Sequence, residues 1–158
     1  MSPHESEQLA KLFDSYAPSI YRYMLRRVSD APTRDDLVSE VFLVAAQKLG
    51  SIPSDKELPW LYGVARNVLA NWRRRVSAIP MEEVPLPGQQ GNDEDVSERL
   101  SLAEAWQSLS EGDREVLRLA AWEGLSGEAL GEAMGMSSSG AASSLSRARA
   151  HLAKAFQA

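Results

Sequence analysis

The stretch from Ile79 to Asp95 limits what this chain can fold into more than any other. It holds Pro80, Pro85, Pro87, Gly88 and Gly91, with Gln89, Gln90 and Asn92 among them, and almost no hydrophobic period. Prolines and glycines at that density break helices and interrupt strand ladders, so no long regular element is expected to pass through it. The 158-residue chain is therefore predicted to form two small domains, residues 1–78 and 99–158, joined by a flexible acidic linker over residues 79–98. Charge marks the same boundary. Residues 1–78 carry 11 Lys/Arg against 9 Asp/Glu, residues 79–100 carry 1 against 6, and residues 101–158 carry 5 against 7. The net charge of -5 thus comes mainly from the connector, and the N-terminal part is slightly basic.

Both flanking parts read as helix, giving an all-α fold with no strand-like alternation of any length. Leu9, Leu12, Phe13, Tyr16 and Ile20, continuing through Met24 and Val28, form one apolar stripe in which Pro18 is expected to make a kink or a fresh start. Thr33 with Asp36 gives a capping-type start for a second helix, whose face is Leu37, Val38, Val41, Phe42, Ala45 and Leu49, with Gly50 ending it. Ser54 with Glu57 repeats that signature ahead of Trp60, Leu61, Val64, Ala65, Val68, Leu69 and Trp72, with Pro59 tolerated in the first turn. On a helical wheel that third helix sets Arg66, Asn67, Ala70, Asn71, Arg73 and Arg74 opposite its apolar side. No acidic residue occurs from Arg66 to Arg75, and Arg and Asn are side chains that contact phosphates and base edges, so this face points to nucleic acid.

In the C-terminal part Leu100, Ala103, Trp106 and Leu109 suggest one helix, and Ser110 with Asp113 starts another that Gly124 closes. A short helix from Ser126 to Gly135 is followed by a longer one capped by Ser137, which together make a helix-turn-helix candidate. Ala141, Leu145, Ala148, Leu152 and Phe156 are its expected inner face. The outer face is Ser139, Ser143, Ser146, Arg147, Ala150 and Lys154.

Composition removes most catalytic chemistry. The chain has no cysteine, and its two histidines, His4 and His151, lie at opposite ends. Asp35 and Asp36 are adjacent and diverge on a helix, so no catalytic carboxylate pair, metal site or cofactor is expected. No apolar run approaches membrane-spanning length, and Met1–Gln8 carries Glu5 and Glu7 without an apolar stretch, so no membrane insertion and a cytoplasmic location are expected.

Three segments in this order resemble the extracytoplasmic-function (group IV) class of bacterial RNA polymerase sigma factors. They are Asp35-Asp36-Leu37-Val38-Ser39-Glu40-Val41-Phe42-Leu43, Leu58 through Leu69, and Gly124 through Arg149. The resemblance implies a promoter-specificity subunit that binds core RNA polymerase through the beta-prime clamp helices and the beta flap, and that melts promoter DNA. By position it implies Asp35, Asp36, Leu37, Glu40 and Phe42 as polymerase-binding residues. It implies Ser51, Ser54, Asp55 and Lys56, in a loop that captures a flipped base, and Arg66, Asn67, Asn71, Arg73 and Arg74 as minus-ten contacts. It implies Ser137, Ser139, Ala142, Ser143, Ser146, Arg147 and Lys154 as minus-thirty-five contacts, and an anti-sigma factor as a further partner. Glu82, Glu83, Asp93, Glu94 and Asp95 suit a connector that follows positively charged nucleic-acid paths. The recognition helix departs from the family in Ala141, Ala142 and Ser144, and Gly131 stands where alanine is usual, at about 1 kcal/mol by propensity. The depleted recognition helix prompts an alternative reading, a sigma-like mimic that binds an anti-sigma factor or polymerase without reading DNA; a third, an ordinary helix-turn-helix repressor, leaves the Asp36/Glu40 helix and the basic Trp60 helix unexplained.

Overall fold

Ser2 opens the first helix, α1 (Pro3–Leu25), by accepting the Glu5 backbone N–H at 3.1 Å, with Pro3 at a position that needs no N–H of its own. The computed structural model describes residues 1–77 and 93–157, and side chains at 1–77 and 101–157. The elements that follow are α2 (Ala31–Gln47), a 3-10 turn (Leu49–Ser51), α3 (Glu57–Val76), α4 (Asp93–Ser108), α5 (Glu111–Ala121), α6 (Gly127–Met134) and α7 (Ser138–Gln157). Among the described residues there is no strand. The chain divides into two units, Met1–Val84 and Pro85–Ala158.

In the first unit α1, α2 and α3 pack pairwise around Ile20, Tyr23, Met24, Leu37, Val41, Leu61 and Leu69, each essentially inaccessible to solvent. Tyr23 and Tyr62 lie with ring centroids 5.8 Å apart in this core, and Phe13 meets Phe42 edge-on at 5.0 Å. The expected kink at Pro18 does not divide α1. Pro18 forfeits one helical hydrogen bond, but Leu12, Ile20, Tyr23 and Met24 on either side are buried, and at about 1.5–3 kcal/mol for each fully buried side chain that packing outweighs the loss.

Two helix starts differ from the sequence reading. α2 is capped by Asp30, three residues before Thr33, because Asp30 Oδ2 accepts the Thr33 N–H at 3.0 Å and Pro32 sits pre-set in the first turn. α3 begins at Glu57 without a side-chain cap, leaving Ser54 exposed in the preceding turn. Its third residue, Pro59, has no N–H to be capped. α2 also stops at Gln47 rather than Gly50, tightening into the 3-10 turn that buries Leu49.

In the second unit α7 packs against α4, α5 and α6. Val116, Leu119, Leu130, Ala133, Ala141 and Ala148 form its core. Ser110 caps α5 by accepting the Asp113 N–H at 3.1 Å. Gly135 ends α6 in the left-handed region at φ 68°, a conformation that favours glycine. The expected linker lies outside the described residues up to 92, as do Glu82 and Glu83. Residues 93–98, expected as the end of the linker, instead form the first turns of α4.

Candidate nucleic-acid interface

Along α3 the buried side is Leu61, Tyr62, Ala65, Val68 and Leu69, which fixes the outward direction of everything else on the helix. Asn67, Asn71 and Arg74 are exposed on the opposite side, Arg66 and Arg73 are half-buried beside them, and Trp60, expected in the core, is half-buried on the same outward stripe as Gly63 and Asn67. Arg74 Nη2 donates to Asn71 Oδ1, so these two side chains are held as a pair. From Arg66 to Arg74 the face is dominated by arginines and asparagines, with the amides supplying both donors and acceptors.

The loop leading into α3 keeps Ser51, Ser54 and Asp55 exposed, while Lys56 is half-buried with its Nζ 3.6 Å from Asp55. At the start of α3, Glu57 Oε1 accepts from the Tyr16 hydroxyl at 3.3 Å, tying the helix to α1. Burial, and then the charge and hydrogen bond of Glu57, push the Tyr16 phenol above its ordinary pKa.

On α2 the residues named for polymerase binding separate into two groups. Asp35 and Asp36 are exposed and Glu40 is partly so, whereas Leu37 and Phe42 are 2% and 6% exposed and belong to the core. The apolar members therefore position this helix and do not offer themselves to a partner. Leu43, by contrast, is 64% exposed and shares one stripe of α2 with residues 36, 40 and 47. Around the helix from it, Phe13, Asp14, Ala17, Pro18, Tyr21 and Val38 line a shallow apolar depression between α1 and α2.

The turn between α6 and α7 is tighter than sequence suggested. A Cβ on Gly131 would lie 2.7 Å from the Met136 carbonyl oxygen and 3.1 Å from Ser137 backbone atoms, so glycine here permits the close approach of the turn. That corrects the view of Gly131 as a loosening residue. Ser137 caps α7 by accepting the Gly140 N–H at 3.0 Å. Ser139, Ala142, Ser143, Ser146, Arg147 and Lys154 are all exposed on α7. Phe156, expected to be inward, is 46% exposed. Arg147 Nη2 donates to Ser144 Oγ at 3.3 Å.

Two family models match these units in order: sigma-70 region 2 over residues 12–79, and sigma-70 region 4 over residues 99–152. The ECF RNA polymerase sigma factor SigL of Mycobacterium tuberculosis is 30% identical over 134 residues, covering 77% of this chain and 73% of that protein. This chain is an extracytoplasmic-function sigma factor. A shorter match, 35% identical over 69 residues, covers 42% of this sigma factor and 26% of the ECF RNA polymerase sigma factor BldN of Streptomyces coelicolor. Among solved structures, the sigma factor RpoE of Bartonella quintana, crystallised with the anti-sigma factor NepR, shares the fold with a TM-score of 0.62 at 22% identity. The likeness covers 94% of this chain and 96% of that one.

As a sigma factor the protein is a promoter-specificity subunit of RNA polymerase, and its parts fall on the two matches. Region 2 takes in α2, α3 and all of α1 from Leu12, hence both the α2 stripe and the basic α3 face. Region 4 takes in α5, α6 and α7 as far as Leu152. Sequence reasoning missed several residues of this sigma factor: Arg75, whose Nη2 lies 3.9 Å from Glu40 Oε2; Leu43; and His151, whose Nδ1 lies 2.7 Å from Asp113 Oδ2 and ties α7 to α5. The Arg75 and His151 contacts depend on which residues meet across helices, which no single-helix wheel displays, and the exposure of Leu43 depends on which side of α2 the other helices cover. Among the described residues no helix is long and apolar enough to cross a membrane.

Proposed function

We propose that this sigma factor divides its task among three surfaces. The α2 stripe of Asp36, Glu40 and Leu43, with Asp35 beside it, docks on the clamp helices of core polymerase, its carboxylates meeting basic side chains around an apolar contact. The α3 face of Arg66, Asn67, Asn71, Arg73 and Arg74 takes the minus-ten element, and Ser51, Ser54, Asp55 and Lys56 make polar contacts to a base turned out of the stack. The exposed serines of α7, with Arg147 and Lys154, take the minus-thirty-five element, and the second unit also meets the beta flap. Residues 1–78 and 99–158 serve as the two functional domains. The protein acts in the cytoplasm and performs no covalent chemistry of its own.

The observation that carries this reading is the α3 helix: one side buried in a hydrophobic core, the other a run of arginines and asparagines with no acid of its own from residue 66 to 75. The face gives a DNA-blind mimic no evident use for its arginines, and a simple repressor no use for the α2 stripe. An anti-sigma partner belongs to the proposal as well, supported by the anti-sigma-bound RpoE chain that shares this fold. Reconstituted transcription with core polymerase on a genomic promoter library tests it: transcripts sharing two upstream motifs are expected, and polymerase binding without any specific transcript would favour the mimic.

A further inference from the structure

Arg75 sits near the end of α3, where the helix carries three consecutive arginines, and its guanidinium reaches back to α2 and not along its own helix. Its partner there is Glu40, the residue that shares the α2 stripe with Asp36 and Leu43. The two side chains are 59% and 40% exposed and the nearest nitrogen and oxygen are 3.9 Å apart, at the long limit of an ion pair. An exposed pair of this kind is weak and easily exchanged. We propose that Glu40 holds Arg75 away from DNA in the free protein, and that seating of α2 on polymerase releases Arg75 to become a further promoter contact.

The physical basis is competition for one carboxylate. A basic side chain of polymerase that takes up Glu40 offers it a better desolvated, closer partner than Arg75 does at 3.9 Å. Arg75 then has no acid within its own helix segment to turn to, since residues 66–74 contain none, and a promoter phosphate is an anion that a long, flexible guanidinium side chain takes up readily. Polymerase binding and DNA binding are thereby linked through a single exchanged ion pair, and the linkage is reciprocal. This inference rests on the reading of the α2 stripe as the polymerase surface.

The test is the salt dependence of binding to a fluorescent fork DNA, a duplex with a single-stranded non-template overhang, measured by anisotropy for the full chain alone and for the assembled holoenzyme. In holoenzyme, Arg75→Gln is expected to reduce the slope of log affinity against log salt by about one contact, roughly 0.7–0.9; in the free chain it is expected to leave the slope unchanged. Glu40→Gln is expected to tighten DNA binding by the free chain roughly two- to fivefold, and the gain is expected to vanish in the double variant. An equal loss of slope from Arg75→Gln in both states, or a Glu40→Gln gain that persists without Arg75, would overturn the proposal. Affinity for core polymerase separates the two layers. Glu40→Gln weakening core binding while the DNA slopes stay uncoupled overturns only the release of Arg75, whereas unchanged core binding overturns Glu40 as a polymerase contact and the release with it.

Discussion

Arg27 stacks its guanidinium carbon 3.6 Å from the centre of the Tyr23 ring and donates from Nη1 to the Tyr23 carbonyl oxygen at 3.1 Å. Only 5% of Arg27 is exposed, and Tyr23 is fully buried beneath it. A desolvated cation over an aromatic face is worth about 2 kcal/mol. Arg27→Ala is expected to lower the stability of the first unit by about that amount, seen as faster amide hydrogen exchange in α1–α3 with α5–α7 unchanged.

Gly131→Ala sets two effects against each other. Helix propensity favours alanine by about 1 kcal/mol, but the added Cβ would meet the Met136 carbonyl oxygen at 2.7 Å, and backbone cannot swing aside as a side-chain tip does. Overpacking of this kind costs about 1–3 kcal/mol, so the clash decides the sign. The variant is expected to be less stable than the parent by urea unfolding, and to bind a minus-thirty-five duplex more weakly because the turn that aims α7 has moved.

Asp30 supplies a pH dependence. Its hydrogen bonds from the Thr33 hydroxyl and then the Thr33 backbone N–H hold its carboxyl below the ordinary aspartate range. A folded pKa lower than the unfolded one means that this contribution is present above about pH 4 and lost as pH falls through the folded value. Asp30→Asn keeps an acceptor for the cap but removes the titration. Its stability is expected to fall less steeply than the parent's between neutral and acid pH, as followed by circular dichroism.

Much of this architecture is legible in the letters. The helical periods place Leu61, Ala65, Val68 and Leu69 in the core and Asn67, Asn71 and Arg74 outside, because a 3.6-residue repeat depends only on local geometry. Helix starts are less legible, since Asp30 and Thr33 are both good capping residues and only the chain's path decides between them. What escapes altogether is contact between helices: Arg75 with Glu40, Asp113 with His151, and the Cβ that Gly131 must not have. Phe42 is the instructive case. Its motif position assigns it to a partner, but its ring is spent against Phe13 inside the fold, and exposed Leu43 stands where a partner can reach it.

Arg147 is the cation on the outer face of the recognition helix nearest its serines, braced by Ser144. Arg147→Ala is expected to weaken binding of minus-thirty-five duplexes by a similar factor whatever their sequence, and to reduce the salt slope by about one contact. Ser143→Ala, which removes a hydroxyl but no charge, is expected to leave that slope unaltered while relaxing base preference.

Association with purified core RNA polymerase at low ionic strength, followed by transcription from a selected promoter, tests the division of labour between α2 and α3 most directly. The parent is expected to bind core and initiate; Asp36→Arg is expected to lose core binding, and Arg74→Ala to bind core normally but open the promoter poorly. Failure of the parent chain to bind core under these conditions, or transcription indifferent to both substitutions, would contradict the account.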